Sequence, residues 1–202
     1  MPEVPLIKTA TDPETLRELV IAGHVAAAGV PPNWDRLGVA WSQLMLESGR
    51  GQKAWNHNFG NLKCNPKCQE SMPWVVIPVE PGSSEGPIQR AYPGPVEGCA
   101  AYWRLIGSQY AQALPYFDRG EAADAMIALW NGGKYPSYFE AEPKGYAASV
   151  AQLFKEYENT FPRSSHDPGG PNPTGDEAPL STIVVLGVLG LALGAGLYVA
   201  TR

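Results

Sequence analysis

One glutamate, Glu47, closes an apolar predicted helix and stands immediately before a Ser-Gly-Arg-Gly turn. Leu44, Met45 and Leu46 precede it, which predicts a surrounding of low dielectric, and a helix C-terminus carries partial negative charge. Both effects penalise the ionised carboxylate and raise its pKa. A carboxylic acid that stays protonated near neutral pH can act as a general acid on a glycosidic oxygen. A solvated helix-terminal glutamate without chemistry is the alternative.

Helical periodicity predicts that mostly helical elements position this residue. The predicted helices cover residues 12–29, 33–47, 95–113, 119–130 and 142–161. Two strand-like runs, 74–79 and 88–92, flank the polar loop 80–86 and predict a small β-lobe within residues 51–94. The sequence therefore predicts an α+β fold, mostly helical, with a cleft where the β-lobe meets the helices.

Four segments carry further motifs in a fixed order. Residues 47–51 read ESGRG, 56–63 read NHNFGNLK, 90–92 read RAY, and 138–146 read YFEAEPKGY. This order resembles the glucosaminidase family of peptidoglycan hydrolases (glycoside hydrolase family 73, lysozyme-like fold), with its E-S-G-x-G, N-N-x-F-G-I-K, R-x-Y and Y-A-T-D-P-x-Y segments. The resemblance covers residues 12–160.

The sequence departs from this family pattern at several positions. Arg50 stands where the family usually has Trp, and Asn61-Leu62 replaces a single Ile. The segment that begins at Tyr138 carries one extra residue, and Glu142 replaces an Asp. The departures bear on fine specificity more than on the general chemistry.

The resemblance implies a lysozyme-like glycosidase that cleaves the glycan strands of peptidoglycan. It implies Glu47 as the general acid, and Tyr138 as an active-site tyrosine that orients the acid or the N-acetyl group of the substrate. It further implies that Asn56, Asn58 and Phe59 shape the floor of the cleft, with core packing as the alternative for Phe59.

The second catalytic carboxylate is left open by the sequence. An inverting enzyme needs a base at roughly 6.5 to 9.5 Å from the acid, whereas a retaining one needs a closer nucleophile. Glu70, Glu80 and Glu85 lie in the β-lobe, and we favour Glu80 and Glu85 because they flank a loop that can fold over the cleft. Otherwise the substrate's N-acetyl group serves, or a transglycosylase reaction gives a 1,6-anhydro sugar.

Aromatic rings are abundant, and such rings stack on sugars as well as they fill cores. Three are expected to bind substrate in the cleft, namely Trp74, Tyr92 and Tyr135. Three others are expected in the core, namely Trp41, Trp103 and Trp130.

The 3 cysteines are too few for a disulfide scaffold. A zinc site would need Cys64, Cys68 and Cys99 together with His57. A disulfide from Cys64 or Cys68, either to each other or to Cys99, is favoured in an oxidising compartment and leaves one thiol unpaired. We expect no metal and no cofactor.

The C-terminal part differs from the rest in composition. Residues 180–200 carry no charge and are long enough to span a bilayer as one helix. Gly190 and Gly194 form a GxxxG through which two such helices can self-associate. Residues 162–179 are rich in Pro and Gly and predict a flexible tether. The predicted organisation is a domain of residues 1–161, a linker and a transmembrane anchor.

The formal net charge of −5 argues against a nucleic-acid partner, because such proteins concentrate Lys and Arg. We expect an endo-β-N-acetylglucosaminidase-like enzyme anchored in a membrane, with its domain facing the cell wall. Because no export signal is visible, we favour a bacteriophage virion lysin that opens the wall during entry. The alternatives are lysozyme or lytic transglycosylase specificity, a bacterial wall-remodelling enzyme, and a non-catalytic wall-binding module.

Overall fold

The computed structural model describes residues 1–78, 86–132, 138–139 and 141–164. The elements in chain order are α1 Pro13–Ala28, α2 Trp34–Glu47, α3 Pro66–Ser71, β1 Trp74–Val76, β2 Ile88–Arg90, α4 Pro95–Gln109, α5 Leu114–Phe117, α6 Ala122–Asn131 and α7 Pro143–Thr160. A 3-10 turn, Ala111–Ala113, joins α4 to α5. Over these residues the predicted α+β fold, mostly helical with a small sheet, is confirmed.

Side-chain caps set the ends of the helices that lead to Glu47. The carboxylate of Asp12 accepts a hydrogen bond of 2.7 Å from the backbone N–H three residues later, and Gly29 ends α1 with a φ of 79°. Asn33 caps α2 in the same way, also at 2.7 Å. These caps satisfy backbone groups that a helix end leaves free. The predicted helices 12–29 and 33–47 are therefore confirmed to within one residue at each end.

Helix α2 runs through the middle of the core and packs closely against α7. Gly38 permits this approach, because a Cβ atom there would lie 2.6 Å from ring carbons of Phe154 and Tyr157. α1 packs against α4, where a Cβ atom on Gly23 would lie 2.5 Å from the Cβ of Cys99. Two glycines thus let the helices approach closely, and the contact at Gly38 fixes the position of Glu47 relative to α7.

The β-lobe is built around the antiparallel pair β1 and β2, in which Val75 lies opposite Gln89. Beyond β2, Lys63 bridges to Gln89, and the N–H of Cys64 donates to the carbonyl of Ile88 at 2.9 Å. Beyond β1, Glu3 bridges to Trp74. The chain on either side therefore extends the two-stranded sheet, and residues 61–64 are held in register with β2.

The first 11 residues form an extended N-terminal strap (residues 1–11) along the β-lobe. Thr9 N–H donates to the carbonyl of Ala54 at 2.9 Å, and Thr11 N–H donates to that of Gly51 at 3.0 Å. Lys8 forms an antiparallel bridge with Trp55. The strap therefore connects the start of α1 to the loop after Glu47.

Several predicted element boundaries are wrong, and the backbone explains them. The strand predicted over 74–79 ends at Val76, shortly before Pro78, which has no N–H to donate. The helix predicted over 95–113 ends at Gln109 and continues as a 3-10 turn. The helix predicted over 119–130 begins only at Ala122, because Gly120 adopts a φ of 68°. Helices α3 and α5 were not predicted.

Two of the three tryptophans predicted in the core are buried there, and one is not. Trp41 and Trp103 are buried, as expected. Trp130 is exposed over 37% of its surface, so its prediction is wrong. Met126 and Leu129 already fill the inward face of α6, and the next residue is turned towards solvent.

The predicted transmembrane segment lies outside the described residues, as do Gly190 and Gly194 and all but the first three residues of the predicted linker. Among the residues that the structure does describe, none of the helices has the length and apolar character needed to cross a bilayer.

Candidate active site

Glu47 is the last residue of α2, and a tight turn comes directly after it. The hydroxyl of Ser48 donates to the carbonyl of Leu44 at 2.6 Å and accepts from the N–H of Gly51 at 2.9 Å. Gly51 has a φ of 77°, and a Cβ atom there would lie 2.3 Å from the carbonyl oxygen of Thr11. The Ser and the second Gly of the ESGRG motif thus end the helix and let the N-terminal strap pass beside the turn.

The carboxyl group of Glu47 is held on both oxygens. The hydroxyl of Tyr146 donates to Oε1, and the amide Nδ2 of Asn61 donates to Oε2 at 3.2 Å. Burial raises the pKa of Glu47 above its ordinary value, and the two hydrogen bonds pull it partly back. The side chain therefore has a fixed orientation and an increased tendency to hold a proton.

Tyr146 is itself held by a chain of donors from the core. The hydroxyl of Tyr102 donates to Oε1 of Gln43 at 2.7 Å, and Nε2 of Gln43 lies 3.4 Å from the hydroxyl of Tyr146. Gln43 is fully buried and stands one helical turn before Glu47. Phe139 stacks on the Tyr146 ring with the centroids 3.8 Å apart. We call the Tyr102, Gln43 and Tyr146 series the core relay.

Tyr138, the expected active-site tyrosine, lies beside this arrangement and donates elsewhere. Its hydroxyl binds the carbonyl of Gly60 at 3.1 Å, and its ring meets those of Tyr102 and Tyr110 edge to face. Burial raises the pKa of Tyr138 well above its usual value, so its hydroxyl stays neutral. The tyrosine in contact with Glu47 is Tyr146, which closes the same sequence segment and was not singled out for the site.

The two asparagines expected on the cleft floor are buried, and their amides are bonded within the protein. Asn56 accepts from the N–H of Ile7 at 3.0 Å and donates to the carbonyl of Pro5 at 2.8 Å. Asn58 accepts from the N–H of Leu62 and donates to its carbonyl, both at 2.9 Å. These amides hold the strap and the loop before β2, so we assign them no contact with sugar.

Phe59 lies in the core with 1% of its surface exposed. Trp74 is half-buried and donates from its indole to the carbonyl of Met1 at 3.2 Å, while Tyr92 is half-buried at the end of the β-lobe. Tyr135, Glu80 and Glu85 lie outside the described residues. The structure therefore brings Glu47 together with Tyr146 and Asn61, neither of which sequence reasoning selected as a site residue.

Hydrogen bonds to the Glu47 carboxyl come, within the described part of the chain, from a phenol and an amide and from no second carboxyl group. A shallow groove of about 480 Å³ lies next to this site, between the end of α2 and α7. Its lining includes Leu46, Arg50 and Ser149, the last of which stands three residues beyond Tyr146. Glu47 itself is not part of the lining.

Cys64 and Cys68 form a disulfide, one of the pairings that the sequence left open, and Cys99 is a buried free thiol. The disulfide removes two of the ligands that the zinc alternative required. In the residues that the structure describes, no three His, Cys, Asp or Glu side chains are grouped to hold a metal ion. The disulfide fixes the chain just after the segment that carries Asn61.

Comparison of the chain with protein-family models, with curated proteins and with solved structures gave no match. The chemistry around Glu47 is therefore the basis for assigning a function.

Proposed function

We propose that this chain is a glycosidase that cleaves the glycan strands of peptidoglycan, with Glu47 as its general acid. The observation that carries the proposal is the environment of the Glu47 carboxyl group. This group is half-buried at the end of a core helix, its pKa is raised by burial, and each of its oxygens is held by a neutral donor. A fixed carboxyl group that retains its proton is the requirement for protonating a leaving oxygen.

In the proposed reaction, protonated Glu47 gives its proton to the oxygen of the glycosidic bond. The bond between that oxygen and the anomeric carbon then breaks, and the leaving sugar keeps the electron pair together with the proton. Positive charge develops on the sugar ring that remains, as in an oxocarbenium ion. Glu47 becomes an anion at this moment, and the donors Tyr146 and Asn61 stabilise that charge.

The capture of the sugar cation is the second half of the reaction. Glu80 and Glu85 are our candidates for a carboxylate that activates water or attacks the anomeric carbon. Where neither reaches the site, the N-acetyl group of the substrate or its own 6-hydroxyl completes the reaction, the latter giving a 1,6-anhydro sugar. The observed partners of Glu47 are both neutral, and this is compatible with each of these routes.

The finer parts of the proposal rest on the sequence motifs. The preferred specificity is that of an endo-β-N-acetylglucosaminidase, and the preferred setting is a bacteriophage virion whose lysin is anchored through residues 180–200. The Cys64–Cys68 disulfide supports maturation or action in an oxidising space, which includes the space outside the cytoplasmic membrane where peptidoglycan lies.

The test is an end-group analysis of purified peptidoglycan after incubation with the full chain in mild detergent. Mass spectrometry of the soluble fragments distinguishes three possible specificities by the end group that each leaves. Reducing-end N-acetylglucosamine is the expected result, reducing-end muramic acid would indicate lysozyme specificity, and anhydromuramic acid would indicate a transglycosylase. Binding to the wall without any release of fragments would contradict the enzyme and leave the wall-binding module.

A further inference from the structure

We propose that Asn61 and Gln89 form a relay of amides through which the β-lobe orients Glu47 and presents a hydrogen-bond donor to Oε2 of its carboxyl group. This proposal rests on the proposed function only in taking Glu47 as the catalytic acid, whose protonation state controls the reaction. Asn61 and Gln89 are positioning residues in this scheme, because they act through Glu47.

The geometry joins the two side chains to the acid in series. Nδ2 of Asn61 lies 3.2 Å from Oε2 of Glu47 and 3.3 Å from its backbone carbonyl oxygen. Nε2 of Gln89 donates to Oδ1 of Asn61 at 2.7 Å. Gln89 is buried, and the amide of Asn58 stands 3.5 Å from its Oε1. The Asn61 amide therefore cannot turn without losing its bond to Gln89.

The direction of these hydrogen bonds is dictated by chemistry. The backbone carbonyl of Glu47 only accepts, as does its carboxyl group once ionised, so Asn61 must present its NH₂ group to Glu47 and its oxygen to the β-lobe. Gln89 must then present its own NH₂ group to that oxygen, which leaves its Oε1 facing the Nδ2 of Asn58. Each amide donates towards Glu47. This relay is the counterpart of the core relay, in which Tyr102, Gln43 and Tyr146 also donate towards the acid.

The backbone explains why Asn61 can reach the acid. It has a φ of 54°, in the left-handed region that asparagine tolerates better than most residues. Directly after it, the carbonyl of Leu62 accepts from the N–H of Arg90 at 3.0 Å, and Lys63 bridges to Gln89. The pairing with β2 therefore sets which residue of that strand meets Asn61. Asn61 and Leu62 together occupy the place of a single Ile in the motif that the sequence resembles, and the amide is gained with the extra residue.

A donor to the carboxylate favours its charged form, so removal of that donor should raise the pKa of Glu47. In the full chain labelled with ¹³C at the glutamate carboxyl carbons, the Glu47 signal is assigned by its loss in Glu47→Gln. We expect Asn61→Leu to raise the pKa of Glu47 by about one unit. Gln89→Leu should raise it by less, and the double variant should do no more than Asn61→Leu alone. Gln112→Leu, an exposed position outside the site, is the matched control and should leave the titration unchanged.

The pH profile of glycan release provides the second readout. A general acid works only while protonated, so the alkaline limb of the profile should move to higher pH by the same amount in Asn61→Leu. If Asn61→Leu does not fold, Asn61→Asp keeps the size of the side chain, removes a donor and adds a like charge, and should raise the Glu47 pKa further.

The outcomes separate the two proposals. An unchanged Glu47 titration in Asn61→Leu or Asn61→Asp overturns the relay, whatever the enzyme does. A full additional effect of Gln89→Leu in the Asn61→Leu background overturns the action of Gln89 through Asn61. Shifted titrations in a chain that releases no glycan fragments support the relay and overturn the glycosidase.

Discussion

At the scale of the residue, Glu47 is subject to two opposed influences. Burial favours the neutral acid, while the hydroxyl of Tyr146 and the amide of Asn61 favour the anion. A general acid has to be neutral before the reaction and anionic after it. Donors that remain neutral throughout can serve both states. They stabilise the anion by hydrogen bonding, and they carry no positive charge that would lower the pKa of the resting acid strongly.

The raised pKa of Glu47 has a consequence for stability that does not depend on activity. Because the pKa is higher in the folded than in the unfolded chain, the carboxyl group favours folding below its unfolded pKa of about 4.3. This contribution is lost as the pH rises through the folded pKa. As the pH is raised from 4 upward, the melting temperature of Glu47→Gln should therefore increase relative to that of the wild type.

Circular dichroism melts across this pH range measure the difference. Glu158→Gln serves as the control, because Glu158 is exposed on α7 and the same charge is removed there. A difference between Glu47→Gln and the wild type that stays constant with pH would show that Glu47 does not have a raised pKa.

At the scale of the element, the site depends on how closely α2 and α7 approach. Glu47 ends one of these helices and Tyr146 lies in the first turn of the other. The approach is set at Gly38, where ring carbons of Phe154 and Tyr157 take the place that a side chain would fill. The β-lobe supplies the third side of the site through Asn61, and its register with β2 is held by backbone hydrogen bonds.

We expect Gly38→Ala to push α2 and α7 apart. The added methyl group meets two buried rings, and overpacking of this kind costs about 1–3 kcal/mol, more than the gain of up to about 1 kcal/mol from replacing a helical glycine. The free energy of unfolding, measured by denaturant titration, should fall.

Gly107→Ala provides the matched control for that substitution. Gly107 is also inside a helix, α4, but nothing lies within 4 Å of the position of its Cβ atom. There the substitution should stabilise the chain by about 0.5–1 kcal/mol. Equal effects of the two substitutions would show that Gly38 is not a point of close packing.

At the scale of the whole molecule, the N-terminal strap joins α1 to the β-lobe beside the site. Asn56 is its main side-chain attachment, since both ends of its amide bind the strap backbone. Asn56 also has a φ of 47°, so the loop after Glu47 is shaped by the same residue. The strap thus ties the turn after the acid to the remainder of the fold.

Asn56→Leu should release the strap. A buried hydrogen-bonding group that loses its partner costs about 1–3 kcal/mol, so the strap should open more often than in the wild type. We expect faster hydrogen exchange at the amide of Ile7 and faster tryptic cleavage after Lys8. Asn131→Leu, at the exposed end of α6, should change neither rate. Unchanged exchange at Ile7 in Asn56→Leu would show that other contacts suffice to hold the strap.

Much of the fold was predictable from the sequence because its signals are local. Asp12 and Asn33 cap the first two helices, and glycines indicate the turn after Glu47. The hydrogen-bond partners of Glu47 were harder to predict from the sequence. Whether Tyr138 or Tyr146 reaches Glu47 depends on the packing of α7 against α2, and the role of Asn61 depends on its register with β2. Both are tertiary facts that no local pattern encodes.

We propose that Glu47 is the catalytic acid of a glycosidase, and its substitution tests this claim. The most direct measurement compares wild type, Glu47→Gln and Glu158→Gln, each as the full chain, for release of soluble fragments from purified peptidoglycan at equal folded concentration. We predict release by the wild type and by Glu158→Gln, and a loss of at least about 100-fold in Glu47→Gln. Release by Glu47→Gln at the rate of the wild type would contradict the claim.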